Sequence, residues 1–163
     1  MPDQKINDSA LRRQLIELLS GGQAHAKLED IVAGFPVNRA GERPQGLPHS
    51  AWELLEHIRI AQDDILRFSR SSDYKPMKWP DDYWPKLPAP EHEEQWKESV
   101  QSIQSDLAAF QELIRDPAKN LNEPFPWGDG QTLLREALLI ADHNAYHLGQ
   151  LVLVRRALGT WKG

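Results

Sequence analysis

The spacing of apolar residues between Glu91 and Arg115 sets the fold class expected of this chain. Apolar residues recur there at alternating intervals of four and three, at Trp96, Val100, Ile103, Leu107, Phe110 and Ile114. This pattern places the six side chains along one side of an α-helix, as in the seam of a helical bundle. No chemically reactive group lies on the seam, so we expect this helix to serve as scaffold.

The N-terminal half of the chain shows the same helical period in two long runs. The first run is expected to begin at one of three N-cap residues, Asn7, Asp8 or Ser9. It ends at Gly21-Gly22, and a short extra helix follows from Leu28 to Phe35. Ser50 and Glu53 then have the spacing of a capping box, which predicts a helix that runs to about Arg70. The inward-facing side of this helix is expected to carry Leu54, His57, Ile58, Ala61, Ile65 and Phe68.

The last long run extends from Leu133 to Leu158. We expect Asp129 to be its N-cap, and Arg155 and Arg156 to lie near the negative end of its dipole. Four long amphipathic helices without an alternating strand pattern or an internal repeat predict an all-α protein, a four-helix bundle. The length of the chain fits a single domain that spans residues 1–163.

Loops rich in proline and aromatic residues separate the long helices. The loop over residues 72–90 contains Tyr74, Pro76, Trp79, Pro80, Tyr83, Trp84, Pro85, Pro88 and Pro90. Proline disfavours regular helix and central strand in such a segment. We expect the aromatic rings mainly to pack on the body of the bundle, and the alternative is that they wall a pocket.

Charge and composition exclude several classes of protein. The net charge of -5 argues against a general phosphate-binding surface, so we expect no nucleic-acid partner. No run is long and apolar enough to span a membrane, and the first residues do not resemble a signal peptide, so we expect a cytoplasmic protein. The chain has no cysteine, so any metal must be held by His, Asp or Glu.

Three of the six histidines share an inward-facing position. His143 and His147 are four residues apart and therefore lie on one face of the last helix. His57 lies on the inward-facing side of the helix that begins near Ser50. If the two helices are neighbours and their depths match, the three imidazoles converge and form a site for zinc or another divalent ion. The alternative is that they only form hydrogen bonds inside the core. We expect the other three in loops or at exposed helix starts: His25, His49 and His92.

Few neighbouring residues are suited to act as a general base. Glu53 is expected to cap its helix, while Glu56 and Asp142 each lie one residue from a histidine, about 100° away around the helix. Gln150 follows His147 by three residues and is better placed to contact a ligand or a substrate. Tyr146 is expected to pack, and its hydroxyl group is within reach of a pocket rim.

Two segments together carry a family resemblance: Trp52-Glu53-Leu54-Leu55-Glu56-His57-Ile58 and His143-Asn144-Ala145-Tyr146-His147-Leu148-Gly149-Gln150. They resemble the DinB-like (DinB/YfiT) superfamily, and the similarity extends over most of the chain. The resemblance implies a four-helix bundle with up-down-down-up connections and a homodimer. It also implies a divalent metal, zinc or nickel, held by His57, His143 and His147.

The resemblance leaves more than one function open. Characterised relatives include thiol-dependent transferases and isomerases that use bacillithiol or mycothiol, which implies a small-molecule substrate and a low-molecular-weight thiol. A metal ion in the site could activate such a thiol, or it could activate water for hydrolysis. The alternative from another class is a non-catalytic metal-binding or stress-response protein. The family name refers to DNA damage, but the acidic charge gives no support for DNA binding.

Overall fold

The regular structure of residues 2–162, the part of the chain whose backbone the computed structural model describes, is helical. Side chains are described from residue 8 to residue 162. The helices are α1 (Pro2–Ser20), α2 (Leu28–Val32), α3 (Ala51–Arg70), α4 (Glu93–Arg115) and α5 (Leu133–Ala157), with a 3-10 turn at Val37–Arg39. Within this range no strand forms, and an isolated bridge joins Pro124 and Thr132. The predicted all-α class is confirmed.

Helices α3 and α4 run parallel to each other. Near their first turns, the rings of Trp52 and Trp96 lie 6.5 Å apart. Further along both helices, the side-chain amide of Gln62 donates to the carbonyl oxygen of Ile103 at 2.7 Å. The paired positions therefore advance together along the two helices, as they do only in a parallel pair.

Helices α1 and α5 run in the opposite direction. Arg12 of α1 donates to the carbonyl oxygen of Ile114, whereas the earlier α4 residue Gln111 donates to that of Ile16, so α1 and α4 are antiparallel. In α5, Asn144 donates to Gln62 of α3, and the later residue His147 meets the earlier His57. The four long helices thus follow the predicted up-down-down-up order.

The predicted ends of α1, α3 and α4, at Ser20, Arg70 and Arg115, are confirmed, and so is the start of α3. Ser50 accepts from the N–H of Glu53 at 3.2 Å, and the Glu53 carboxylate accepts from the N–H of Ser50 at 2.8 Å, so the capping box of α3 is present. Helix α1 begins at Pro2, before the predicted N-caps, and proline is readily accommodated at a first helical position.

The start of α4 lies close to the predicted one, whereas the N-cap of α5 corrects the prediction. Helix α4 begins at Glu93, because His92 is its N-cap and accepts from the N–H of Gln95 at 3.2 Å. Thr132, not Asp129, is the N-cap of α5 and accepts from the N–H of Arg135. Asp129 lies three residues before Thr132, in the preceding turn, where its N–H donates to the Gln131 side chain at 2.6 Å.

Two apolar clusters fill the ends of the bundle. The first core cluster includes Ile31, Phe35, Trp52, Leu54, Leu55, Ile58, Trp96, Ile103, Leu148, Leu151 and Val154. The second core cluster consists of Leu15, Leu19, Leu66, Phe110, Ile114, Leu121, Leu133, Ala137 and Ile140. Between them, α3 and α5 contribute a polar belt, which we define as His57, Gln62, His143, Asn144 and His147. The bundle therefore places polar side chains at mid-height, where the site lies.

Arg155 differs from the expectation of a residue near an exposed helix end. Its side chain is buried, and it donates to the carbonyl oxygens of Ile31, Ala33 and Thr160. It therefore satisfies carbonyl groups at the end of α2. Across residues 2–162, no helix combines the length and the apolar character needed to cross a membrane.

Candidate metal centre

The three inward-facing histidines come together between α3 and α5. The potential ligand nitrogens of His57, His143 and His147 all lie within 4.8 Å of one another. The Nε2 atoms of His57 and His143 are 3.0 Å apart, and the His147 ring meets the His57 ring edge-on at 4.5 Å. The antiparallel packing of the two helices brings His57 to the same height as the one-turn pair on α5.

His57 has a defined protonation pattern because of the loop that covers it. Its Nδ1 atom lies 2.7 Å from the main-chain carbonyl oxygen of Tyr83. A carbonyl oxygen can only accept, so Nδ1 carries the hydrogen and Nε2 presents a lone pair. This is the arrangement that metal-binding histidines commonly show.

His147 is held in the same way from within its own helix. Its Nδ1 atom lies 2.7 Å from Oε1 of Gln150, one turn further along α5. With the amide in this orientation, Nδ1 donates and the Nε2 lone pair of His147 is also free. Gln150 therefore contacts a candidate ligand directly.

Burial keeps the three rings neutral. It lowers the pKa of His57, against the hydrogen bond to Tyr83, which raises it. Burial, followed by the charges of His147 and His57, lowers the pKa of His143 to about 4. Burial likewise lowers the pKa of His147, although the bond to Gln150 acts in the opposite direction. Neutral imidazole is the form that binds a metal ion.

The donor set fits a divalent transition metal. The His57 Nε2 atom carries no hydrogen, so its 3.0 Å approach to His143 Nε2 needs either a hydrogen on His143 or a cation that both nitrogens bind. Three neutral imidazoles without a thiolate suit zinc, nickel, copper or iron. Among the described residues, these three histidines form the one cluster of potential ligands.

A cavity of about 580 Å³ opens beside the three rings. Its volume is in the range of small-molecule sites. Five residues of the 72–90 loop line it, namely Ser72, Tyr74, Pro76, Trp79 and Tyr83. Ile65 and Phe68, expected in the core, also face this cavity and are only partly buried. The loop was expected mainly to pack on the bundle, and the structure instead favours the alternative of a pocket wall.

Two buried carboxylates that line the cavity were not predicted from the sequence. Asp64 accepts from the hydroxyl group of Tyr83 at 2.7 Å, and Glu136 accepts from Arg135 at 2.7 Å. Burial raises the pKa of Glu136, against the opposing effect of Arg135. Asp64 follows His57 by seven residues and Glu136 precedes His143 by seven. Two turns along the same helix face is a signal that could have identified both.

The acidic residues next to the histidines in sequence lie elsewhere, as expected. Glu53 forms the capping box and pairs with Arg43, while Glu56 pairs with Arg59 at 2.8 Å. Asp142 is exposed.

The remaining candidate residues lie either at the edge of the histidine cluster or away from it. Tyr146 is 65% exposed rather than packed, although its ring meets His147 edge-on. His25 and His92 are exposed, and His49 stacks on Trp84 at 4.3 Å. Within the described residues, these three histidines do not join the ligand cluster.

Comparisons with known proteins agree with this architecture. The sequence model of the DinB superfamily matches residues 22–151, well over half of the chain. Neither the curated proteins nor the solved structures gave a match. The matched segment includes all three clustered histidines, the whole of α3 and most of α5. The chain therefore belongs to the DinB superfamily.

Proposed function

We propose that His57, His143 and His147 bind one divalent metal ion, zinc or nickel, and that the protein is a metal-dependent enzyme. The observation that carries this proposal is the convergence of three neutral imidazoles at the wall of a cavity of about 580 Å³. Three protein ligands are typical of catalytic zinc sites, whereas structural sites usually have four. When bound, the ion supplies Lewis acidity that activates a thiol or water as the nucleophile.

Transfer of a group to or from a small-molecule thiol is the reaction that the site supports best. No carboxylate belongs to the ligand cluster within the described residues. Glu136 lies seven residues before His143, about 10 Å along α5. A reaction that uses a metal-activated thiol needs less help from a protein base than the cleavage of an amide. The chain itself has no cysteine, so the thiol comes from a cosubstrate.

The lining of the cavity restricts the charge of its substrate. Asp64, Asp129 and Glu136 line it against one arginine, Arg135, which is already bonded to Glu136. Such a lining repels a cosubstrate that carries several carboxylates. The aromatic rings of Trp79 and Tyr83 provide flat apolar or cation-binding surface. The proposed substrates are therefore neutral or positively charged.

Hydrolysis is the second candidate reaction, and Glu136 is the observation that favours it. A buried carboxylate with a raised pKa inside a cavity is the kind of group that general acid–base catalysis uses. It would act on a substrate long enough to extend from the three histidines toward Glu136.

Activity assays on metal-loaded protein test both reactions. One panel combines the neutral thiol 2-mercaptoethanol or the amine-bearing thiol cysteamine with an aryl halide. A second panel contains nitrophenyl esters and anilides. We expect thiol-dependent turnover that chelator and His147→Ala abolish, with His25→Ala as the matched control. Ester cleavage alone would favour hydrolysis, and silence in both panels would favour a non-catalytic metal-binding protein.

The outward face of α5 supports the proposal of a homodimer. Leu138, Tyr146 and Leu153 lie on this face and are 48%, 65% and 51% exposed. Such apolar surface is typical of an interface between subunits. Sedimentation at micromolar concentration should show a dimer that Leu153→Glu converts to monomer. A purely monomeric wild-type protein would contradict this.

A further inference from the structure

From the contacts of His57 we infer that Tyr83 and Trp84 form a clamp that positions this histidine and so sets the metal affinity of the site. The inference rests on the proposed metal binding and adds two positioning residues from a distant part of the chain. His147 has its partner one turn away on its own helix, whereas the partners of His57 lie 26 and 27 residues later, in the 72–90 loop.

Two contacts together fix the orientation of the His57 ring. The Tyr83 carbonyl oxygen accepts from Nδ1 at 2.7 Å, which fixes one direction within the ring plane and the tautomer. The Trp84 ring stacks on the imidazole with centroids 4.1 Å apart and an interplanar angle of 5°, which fixes the plane itself. With both fixed, the Nε2 lone pair points in one direction, toward His143 and His147.

The clamp is itself held on both sides. The opposite face of Trp84 stacks on His49, with centroids 4.3 Å apart. The Tyr83 hydroxyl group donates to Asp64 at 2.7 Å. Asp64 and His57 lie on the same side of α3, so Tyr83 is attached to this helix by its main chain and again by its side chain. The loop therefore cannot shift without moving the groups that orient His57.

A loop that only packed on the bundle would change stability but not metal affinity. A positioning role predicts a specific loss of affinity in the folded apo protein, because partners that orient a ligating histidine typically contribute 10–100-fold to metal binding. The two possibilities therefore differ in a quantity that can be measured without any assay of activity.

Zinc dissociation constants from chelator competition, measured on folded apo protein, test the clamp. Trp84→Leu keeps apolar bulk but removes the stacked ring, and we expect zinc binding to weaken by about 10–100-fold. Trp84→Phe retains a stacked ring and should recover most of the affinity. Tyr83→Phe removes only the bond to Asp64 and should have a smaller effect in the same direction. Leu87→Ala, on the same loop and with a side chain that is 41% exposed, is the matched control and should bind zinc like the wild type.

Nitrogen NMR of the apo protein provides a second readout that does not depend on metal. At pH 7.5 the wild type should show His57 in one tautomer, with the hydrogen on Nδ1. Trp84→Leu should show averaged tautomers, because an imidazole without the stacked ring can turn away from the Tyr83 carbonyl oxygen. If Trp84→Leu does not fold, Trp84→Phe and Tyr83→Phe give the graded comparison. Wild-type affinity in Trp84→Leu, with one tautomer retained, would overturn the clamp alone. A wild-type protein that does not bind zinc would overturn the proposed function, and the clamp's effect on metal affinity with it.

Discussion

The polar belt and the second core cluster occupy neighbouring levels of the same bundle but are built differently. The second core cluster is apolar throughout, and Phe110 and Ile114 within it are completely buried. The polar belt places three imidazoles and two amides between α3 and α5. Within residues 8–162, Oδ1 of Asn144 is buried there without a hydrogen-bond partner. Such a group lowers stability, because it loses its hydration without replacement.

The difference separates the residues that stabilise the bundle from those that give it chemistry. Apolar packing in the core clusters supplies the free energy of folding. The polar belt is maintained against a cost, and polar groups retained at such a cost commonly belong to functional sites. Substitutions in the two regions should therefore affect different measurements.

The largest expected effect lies in the second core cluster. Phe110→Ala should lower the free energy of unfolding by about 3–5 kcal/mol, because it removes buried area and leaves a cavity. Denaturant unfolding with chelator present measures this, and Leu18→Ala, at a half-exposed position, should change it by less than about 0.5 kcal/mol. Equal losses for the two variants would contradict the assignment of this cluster as the stabilising region.

The polar belt should show the opposite behaviour. At a zinc concentration about 100 times the dissociation constant, the wild type should gain about 2.7 kcal/mol, and His57→Ala, His143→Ala and His147→Ala should each lose most of this gain. Melting temperatures with and without zinc measure it, with His25→Ala and His92→Ala as controls. If the triple alanine variant binds stoichiometric zinc with wild-type stabilisation, the assigned ligands are wrong.

The pH dependence of the apo protein should come from the belt as well. The folded pKa of each clustered histidine is below the unfolded value of about 6.5, so the unfolded state binds more protons between these values. The resulting stability is present above about pH 6.5 and is lost as pH falls toward about 4, the pKa of folded His143. We expect a loss on the order of 2 kcal/mol relative to the triple alanine variant, measured by denaturant unfolding with chelator. Parallel pH profiles for the two proteins would contradict this.

Gln150 should show the smallest effect. Gln150→Ala removes the acceptor that orients His147 and should weaken zinc binding about tenfold, or about 1.4 kcal/mol. Gln104→Ala is a matched control, because Gln104 bonds Glu29 at the surface, away from the three histidines. Calorimetric titration of both variants measures the difference, and indistinguishable affinities would remove Gln150 from the site.

Helices and their inward faces could be predicted from the sequence because periodicity is a local property of the chain. His57, Ile58 and Ala61 share one side of α3 whatever surrounds them, and His143 and His147 share one side of α5. The capping box at Ser50 is equally local. The choice between two nearby N-cap residues is not set locally. Thr132 and Asp129 have a similar preference for the N-cap, and Thr132 is the N-cap of α5.

Contacts between distant segments required the tertiary structure. Repeating apolar positions do not determine the relative height of α3 and α5. This height brings His57 level with His143 and His147. The conformation of the 72–90 loop, and with it the contacts of Tyr83 and Trp84 to His57, depends on packing across 26 and 27 residues of chain. Spacing along one helix thus determined which side chains face inward. The packing of that helix against its neighbours decided which of those side chains meet, because register and loop conformation are set by the contacts of the whole fold.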